Sequence, residues 1–112
     1  MKRQLDVQKF KTLPSCEWAL CNGSGSFCAQ GKLMAASGVD DKNELDFALI
    51  CKDVLWENNS YQPQKLREVA ALNNTGKFVE ADALALEWAV ESGKFELVNC
   101  VKEQEAEVTV NA

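Results

Sequence analysis

The strongest structural signal lies in residues 78–93, which read FVEADALALEWAVESG. Apolar residues, mostly alanine and leucine, alternate here with glutamates, and most of these residue types favour the α-helix. Gly93 stands at the end of the stretch, where a glycine in the left-handed conformation commonly terminates a helix. We therefore predict a helix over residues 78–92.

Two further helices are predicted upstream. Residues 64–72 place Leu66, Val69 and Leu72 at helical spacing, and the polar segment 73–76 follows them. Residues 43–57 form the other helix, and Asp40 or Asp41 is suited to cap it. Its apolar positions are numerous enough that we expect burial on more than one side. They are Leu45, Phe47, Ala48, Leu49, Ile50, Cys51, Val54, Leu55 and Trp56.

The first 38 residues have a weaker pattern. An interrupted apolar alternation over residues 4–13 ends at Pro14 and predicts a short strand or extended arm. Residues 22–26, NGSGS, predict a loop. Residues 27–37 fit either a short helix, capped by Ser24 or Ser26 and followed by Gly38, or a strand that pairs across the loop. Gly31 disfavours the helix by roughly 1 kcal/mol relative to alanine.

These segments predict a mainly α fold: a small helical domain with three main helices and a short extended or β-hairpin element near the N-terminus. A chain of 112 residues fits one domain. We assign residues 1–101 to that domain. Residues 102–112 carry three glutamates and no large apolar cluster, and they are expected to form a flexible acidic tail.

Charge and hydropathy exclude several classes of partner. The formal charge is −5, with a net +3 in residues 1–33 and a net −8 in residues 34–112. The acidic body would repel nucleic-acid phosphates, so we expect no nucleic-acid partner. No apolar run reaches the roughly 18 residues of a membrane span, and no apolar stretch follows the charged start. We expect a cytoplasmic protein that does not contact membranes.

The cysteines do not match a disulfide framework or a zinc site. Cys16, Cys21, Cys28, Cys51 and Cys100 are odd in number, and no secretion signal accompanies them. The first three are separated by four and six residues, unlike a structural zinc knuckle, and the chain has no histidine. We predict small buried side chains, with no metal and no cofactor.

Catalytic residues are not predicted either. Without histidine, the usual Ser–His and Cys–His pairs cannot form. Cys28, just after the glycine loop, remains the one candidate for an activated thiol at a helix N-terminus. Glu87 and Glu91 lie four residues apart and fit an acid–base pair less well than an acidic solvent face. The sequence therefore predicts a protein that is not an enzyme.

A candidate protein interface lies next to the glycine loop. Trp18, Leu20 and Phe27 are large apolar residues close to this polar turn. Tryptophan is enriched at the centres of protein interfaces, so these three residues are the predicted contact site. Trp56 and Trp88 fall within apolar helical stripes and are predicted to lie in the core.

The order of features in residues 44–93 resembles the tail assembly chaperones of long-tailed bacteriophages. A helix like LDFALICKDVLW (45–56) is followed there by a polar turn, a short helix like KLREVAAL (65–72) and an Ala/Leu-rich helix like ALALEWAVESG (83–93). The resemblance covers about half of the chain. Residues 1–43 depart from it, because such proteins often have an arginine-containing strand where this chain has cysteines and a glycine loop.

The resemblance implies a non-enzymatic, viral protein-binding domain. Such chaperones coat the tape measure protein, a long helical polypeptide, and keep it soluble until the tail tube forms around it. It also implies a homo-oligomer in the cytoplasm of the host cell. The alternative is an acidic phage or prophage adaptor or inhibitor that occupies a basic site on a host protein.

Overall fold

A computed structural model describes residues 2–17, 25–57 and 61–99 of the chain, and this part is mainly helical. Its helices are α1 (Val7–Thr12), α2 (Ala29–Ala35), α3 (Glu44–Leu55), α4 (Gln64–Asn73) and α5 (Phe78–Glu91). Two short strands, β1 (Arg3–Asp6) and β2 (Phe95–Val98), pair in parallel. The proposed tail at residues 102–112 lies outside the described residues.

The three predicted long helices are confirmed as α3, α4 and α5, with ends within two residues of those expected. Gly93 has a φ of +72° and donates its N–H to the carbonyl of Val90 at 3.1 Å. A side chain is strained in this left-handed conformation, which explains why a glycine follows the helix.

Within residues 27–37, residues 29–35 form a helix, and Phe27 alone pairs with Ser15 in a β-bridge. This helix, α2, is the centre of the fold. It packs against α1, α3, α4 and α5, and all seven of its residues are buried. Gly38 follows at a φ of +92°. The predicted caps Ser24 and Ser26 are wrong, because Cys28 is the N-cap residue and its side chain makes no capping hydrogen bond.

The cap of α3 also differs from the prediction. Asn43, and neither Asp40 nor Asp41, accepts the N–H of Asp46 through its side chain at 3.0 Å. The Asp40 side chain instead accepts the N–H of Lys42 at 2.9 Å. Asp40 thus forms an Asx turn in the segment before the helix. The helix itself begins at Glu44, after its cap residue Asn43.

The predicted extended element near the N-terminus is confirmed as β1. The alternative, a β-hairpin, is wrong for the described residues, because β1 pairs in parallel with β2. The Asp6 side chain caps α1 by accepting the N–H of Lys9 at 3.1 Å, so the chain turns helical after four extended residues. β1 pairs with β2 from the far end of the chain, from Arg3 opposite Phe95 to Asp6 opposite Val98. Parallel strands need a long crossover, and the helices supply it here.

The expectation that α3 is buried on more than one side is wrong. Its buried residues are Phe47, Cys51 and Leu55, which form one face against α2. Leu45 and Leu49 are 69% and 55% exposed. The remaining apolar residues of α3 therefore form a surface of the described fold.

Candidate functional site: a groove between two helices

A groove of about 730 Å³ lies between α3 and α4, above the amino-terminal end of α2. Both helices pack on α2, which sets the floor of the groove. We call it the α3/α4 groove. The residues that line it are Cys28, Ala29, Gln30, Glu44, Leu45, Ala48, Lys52, Trp56, Gln62, Val69, Ala70, Asn73 and Asn74.

The α3 wall of the groove is apolar along most of its length. Leu45, Ala48 and Trp56 line it at helical spacing, and the exposed Leu49 extends the same surface one position further. On the opposite wall, Val69 and Ala70 of α4 face the groove. Side chains three and four residues apart share a helix face, so Leu45, Ala48 and Leu49 form one apolar strip on α3. On α4, Val69 is fully buried, and the half-buried Ala70 supplies the accessible apolar contact.

The Gln30 side chain ties the two walls together. Its Oε1 accepts from Trp56 Nε1 at 2.8 Å. Its Nε2 donates to Gln62 Oε1 at 2.9 Å and to the carbonyl of Leu66 at 3.3 Å. Gln30 is 4% exposed, and a buried amide with all these partners fixes the geometry of the groups it contacts. The spacing between α3 and α4 is therefore set from α2.

Asn73 fixes the floor of the α3/α4 groove through two hydrogen bonds. Its Oδ1 accepts the N–H of Ala29 at 3.0 Å, and its Nδ2 donates to the carbonyl of Cys16 at 2.8 Å. Asn73 is 1% exposed. It thus caps α2 from a different helix and holds the preceding segment beside it. Sequence patterns identified this residue only as part of a helix stop.

Charged groups of both signs lie at the edge of the groove. Glu44 and Lys52 belong to the same α3 wall, and the Lys52 Nζ lies 5.6 Å from the centre of the Trp56 ring. A cation in this position is stabilised by the ring. The groove therefore offers apolar contact beside an α3 wall that carries charges of both signs.

A buried ion pair lies on another side of α2. Lys32 Nζ contacts Asp82 Oδ2 at 2.8 Å and donates to Ser15 Oγ at 2.5 Å. Burial raises the pKa of the Asp82 carboxyl, an effect that Lys32 opposes. The other carboxylate oxygen, Oδ1, is buried without a hydrogen-bond partner among the described residues. The pair joins α2 to α5 within the structure.

The structure defines the surroundings of the two catalytic candidates from the sequence. Burial raises the pKa of the Cys28 thiol, which is opposite to the shift of an activated nucleophile. Glu87 and Glu91 both contact Lys65 Nζ, at 3.1 and 2.5 Å. The hydrogen bond from Lys65 lowers the pKa of Glu91. These carboxylates belong to a surface ion-pair cluster.

The predicted interface of Trp18, Leu20 and Phe27 is corrected in one part. Phe27 is 2% exposed and packs against Phe47, with ring centres 5.6 Å apart. It is a core residue, because the segment after the loop turns inward to begin α2. Trp18 and Leu20 lie outside the described residues.

The residues that form the groove were missed because they resembled core positions. The sequence places Leu45 and Ala48 among the positions of α3 that are expected to be buried, and Val69 among the helically spaced apolar positions of α4. A broad apolar stripe on α3 was the signal present in the sequence. A helix can have a stripe this broad either when it is buried on two sides or when it has an exposed apolar face.

The described ranges, residues 2–17, 25–57 and 61–99, contain neither a metal-binding cluster nor a membrane-spanning helix. No three Cys, Asp or Glu side chains in these ranges lie close enough to hold a metal ion. None of the described helices has the length and apolar character needed to cross a bilayer.

Comparison with known proteins leaves the groove as the main guide to function. No family model, curated protein or solved structure matches this chain significantly.

Proposed function

We propose that this chain is a non-enzymatic protein-binding domain that holds an amphipathic helix of a partner protein in the α3/α4 groove. The observation that carries the proposal is the exposure of Leu45 (69%) and Leu49 (55%) beside the groove. An amphipathic helix inserts apolar side chains into such a groove at positions three and four residues apart. Burial of one leucine side chain stabilises a complex by about 1.5–3 kcal/mol.

The partner that we propose is a tape measure protein, and the chain would act as a tail assembly chaperone in the cytoplasm of the host cell. The order of helices in residues 44–93 supports this assignment through its resemblance to that family. The α3/α4 groove supports it through its shape, since a tape measure protein is a long helical polypeptide. The acidic body, net −8 over residues 34–112, would keep the complex soluble.

The test is a binding titration of recombinant helical tape measure fragments from long-tailed phages, followed by fluorescence anisotropy. Leu45→Glu places a charge on the α3 wall, and we expect it to raise Kd at least about tenfold. The matched control is Val79→Glu on α5, where the side chain is 83% exposed and does not line the groove. We expect this control to change Kd by less than about twofold.

Both substituted side chains are exposed in the free protein, so neither change should unfold it. Circular dichroism of the two variants checks this. A second variant, Ala70→Glu, places a charge on the α4 wall and should weaken binding in the same way. Equal effects of Leu45→Glu and Val79→Glu, or no binding of any helical fragment, would overturn the proposal.

A further inference from the structure

The segments before and after the glycine loop lie side by side in register. Ser15 and Phe27 form a parallel β-bridge. The N–H of Cys16 donates to the carbonyl of Phe27 at 3.0 Å, and the N–H of Phe27 donates to the carbonyl of Pro14 at 2.9 Å. The next residue on each segment is a cysteine, so Cys16 and Cys28 occupy neighbouring positions.

This register places the two thiols within reach of each other. Paired strands lie about 4.8 Å apart, and disulfides form between residues whose Cα atoms are about 4.4–6.8 Å apart. The next residue of each segment points to the face opposite Ser15 and Phe27, so both cysteines share one face. A charge on Cys16 also contributes to the raised pKa of Cys28, which indicates that the sulfurs are close.

Asn73 stabilises this arrangement on both sides. Its Nδ2 donates to the carbonyl of Cys16, and its Oδ1 accepts the N–H of Ala29, the residue after Cys28. One buried side chain therefore holds both cysteine segments at the end of the groove. Cys16 and Cys28 are thiols in the structure, and both are half-buried.

We propose that Cys16 and Cys28 form a thiol–disulfide exchange site, which closes to an intramolecular disulfide when it meets a low-molecular-weight disulfide such as oxidised glutathione. The Cys16 thiolate attacks one sulfur of the oxidant, forms a mixed disulfide and releases one thiolate. The Cys28 thiolate then attacks Cys16 Sγ and releases the second. Two protein thiols are oxidised, the oxidant is reduced to two small thiols, and these take up the two protons.

The order of the two attacks follows from the environment of Cys28. Burial raises the pKa of its thiol, so little thiolate is present there at neutral pH and exchange begins at Cys16. The finished disulfide carries no charge and suits the half-buried position. Cys28 also lines the α3/α4 groove, so the bond would form at the edge of that site. The exchange chemistry does not depend on the proposed partner of the groove.

The experiment equilibrates the full chain with oxidised glutathione and with reduced glutathione. Mass spectrometry after alkylation should show two fewer alkyl groups on the oxidised protein than on the reduced protein, and peptide mapping should join Cys16 to Cys28. The Cys21→Ser/Cys100→Ser variant retains the pair and should give the same link. A bond that closes this short loop should raise the Tm by roughly 5–15 °C relative to the reduced protein.

Single substitutions distinguish the attacking thiol, Cys16, from the resolving thiol, Cys28. Cys28→Ser should stop at a stable glutathione adduct on Cys16, because the resolving thiol is absent. Cys16→Ser should show little adduct at neutral pH. A wild-type protein that retains glutathione adducts without an internal bond would overturn the proposal. A dominant link that joins any other two cysteines would overturn it as well.

Discussion

Lys32 is buried at the centre of the molecule, 2% exposed, with Asp82 as its counter-ion at 2.8 Å. Its Nζ also donates to Ser15 Oγ and lies 5.8 Å from the centre of the Phe10 ring. A buried charge is costly unless it is paired and hydrogen-bonded, and these contacts satisfy Lys32. The pair therefore specifies how α2 packs on α5.

The pH dependence of stability tests the state of Asp82. Burial raises the pKa of its carboxyl above the ordinary value of 3.8, so the folded state retains the proton to higher pH than the unfolded state does. Its contribution to the unfolding free energy is then full below pH 3.8 and is lost as pH rises through the folded pKa.

We expect the unfolding free energy of the wild type minus that of Asp82→Asn to decrease as the pH rises above 3.8 and through the folded-state pKa of Asp82. Urea denaturation at a series of pH values measures both unfolding free energies. The subtraction removes the pH-dependent contributions of the other carboxylates, which the two proteins share. An increase over the same range would mean that Lys32 lowers the pKa of Asp82 more than burial raises it.

At the scale of elements, α2 depends on neighbouring elements for the hydrogen-bond partners of its polar groups. Its own N-cap residue, Cys28, makes no capping hydrogen bond through its side chain. Asn73 on α4 accepts the N–H of Ala29 instead. Gln30 connects α2 to Trp56 at the end of α3 and to Gln62 before α4. A helix buried on all sides needs such partners, because water cannot reach its backbone and amide groups.

Asn73→Ala tests this dependence. It leaves the Ala29 N–H and the Cys16 carbonyl without their partner, and we expect the unfolding free energy to fall by roughly 2–4 kcal/mol. The control is Gln64→Ala in the first turn of α4, an exposed amide that should change it by less than about 0.5 kcal/mol. Urea denaturation measures both. Equal losses in the two variants would show that the Asn73 hydrogen bonds do not stabilise α2.

At the scale of the whole molecule, β1 near the start of the chain pairs with β2 after α5, and apolar side chains remain exposed on two helices. Leu45 and Leu49 lie on α3, whereas Val79 and Val90 lie on α5. Val79 and Val90 are 11 residues apart, which is close to three helical turns, so they share one face of α5. Exposed apolar surface of this kind commonly becomes an interface, and the α5 face is separate from the residues that line the α3/α4 groove.

We therefore expect size-exclusion chromatography with light scattering to show an oligomer whose mass is the same at low and high salt. Contact between apolar surfaces is not screened by ions, unlike attraction between charges. A monomer at both salt concentrations would contradict self-association. A complex with a basic host protein that dissociates at high salt would favour the acidic adaptor over the chaperone.

The sequence alone was sufficient for the local structure of the longer helices. α5 and α4 could be predicted because helix-forming residues, spacing and terminal glycines act within a few neighbouring residues. Nearby polar residues competed for the caps of α2 and α3, and the pattern did not distinguish them. Cys28 and Asn43 are the N-cap residues in the structure.

The tertiary structure alone decided the groove, the centre of the fold and the pairing of β1 with β2. α2 contains a glycine, a glutamine and a lysine, yet it is central because Asn73 and Asp82 satisfy its polar groups from distant positions. β1 meets β2 because Leu5 and Phe95 are both buried in the core. The sequence of α3 shows which of its residues are apolar. The helices packed against α3 determine which of these residues are buried and which remain exposed to bind a partner.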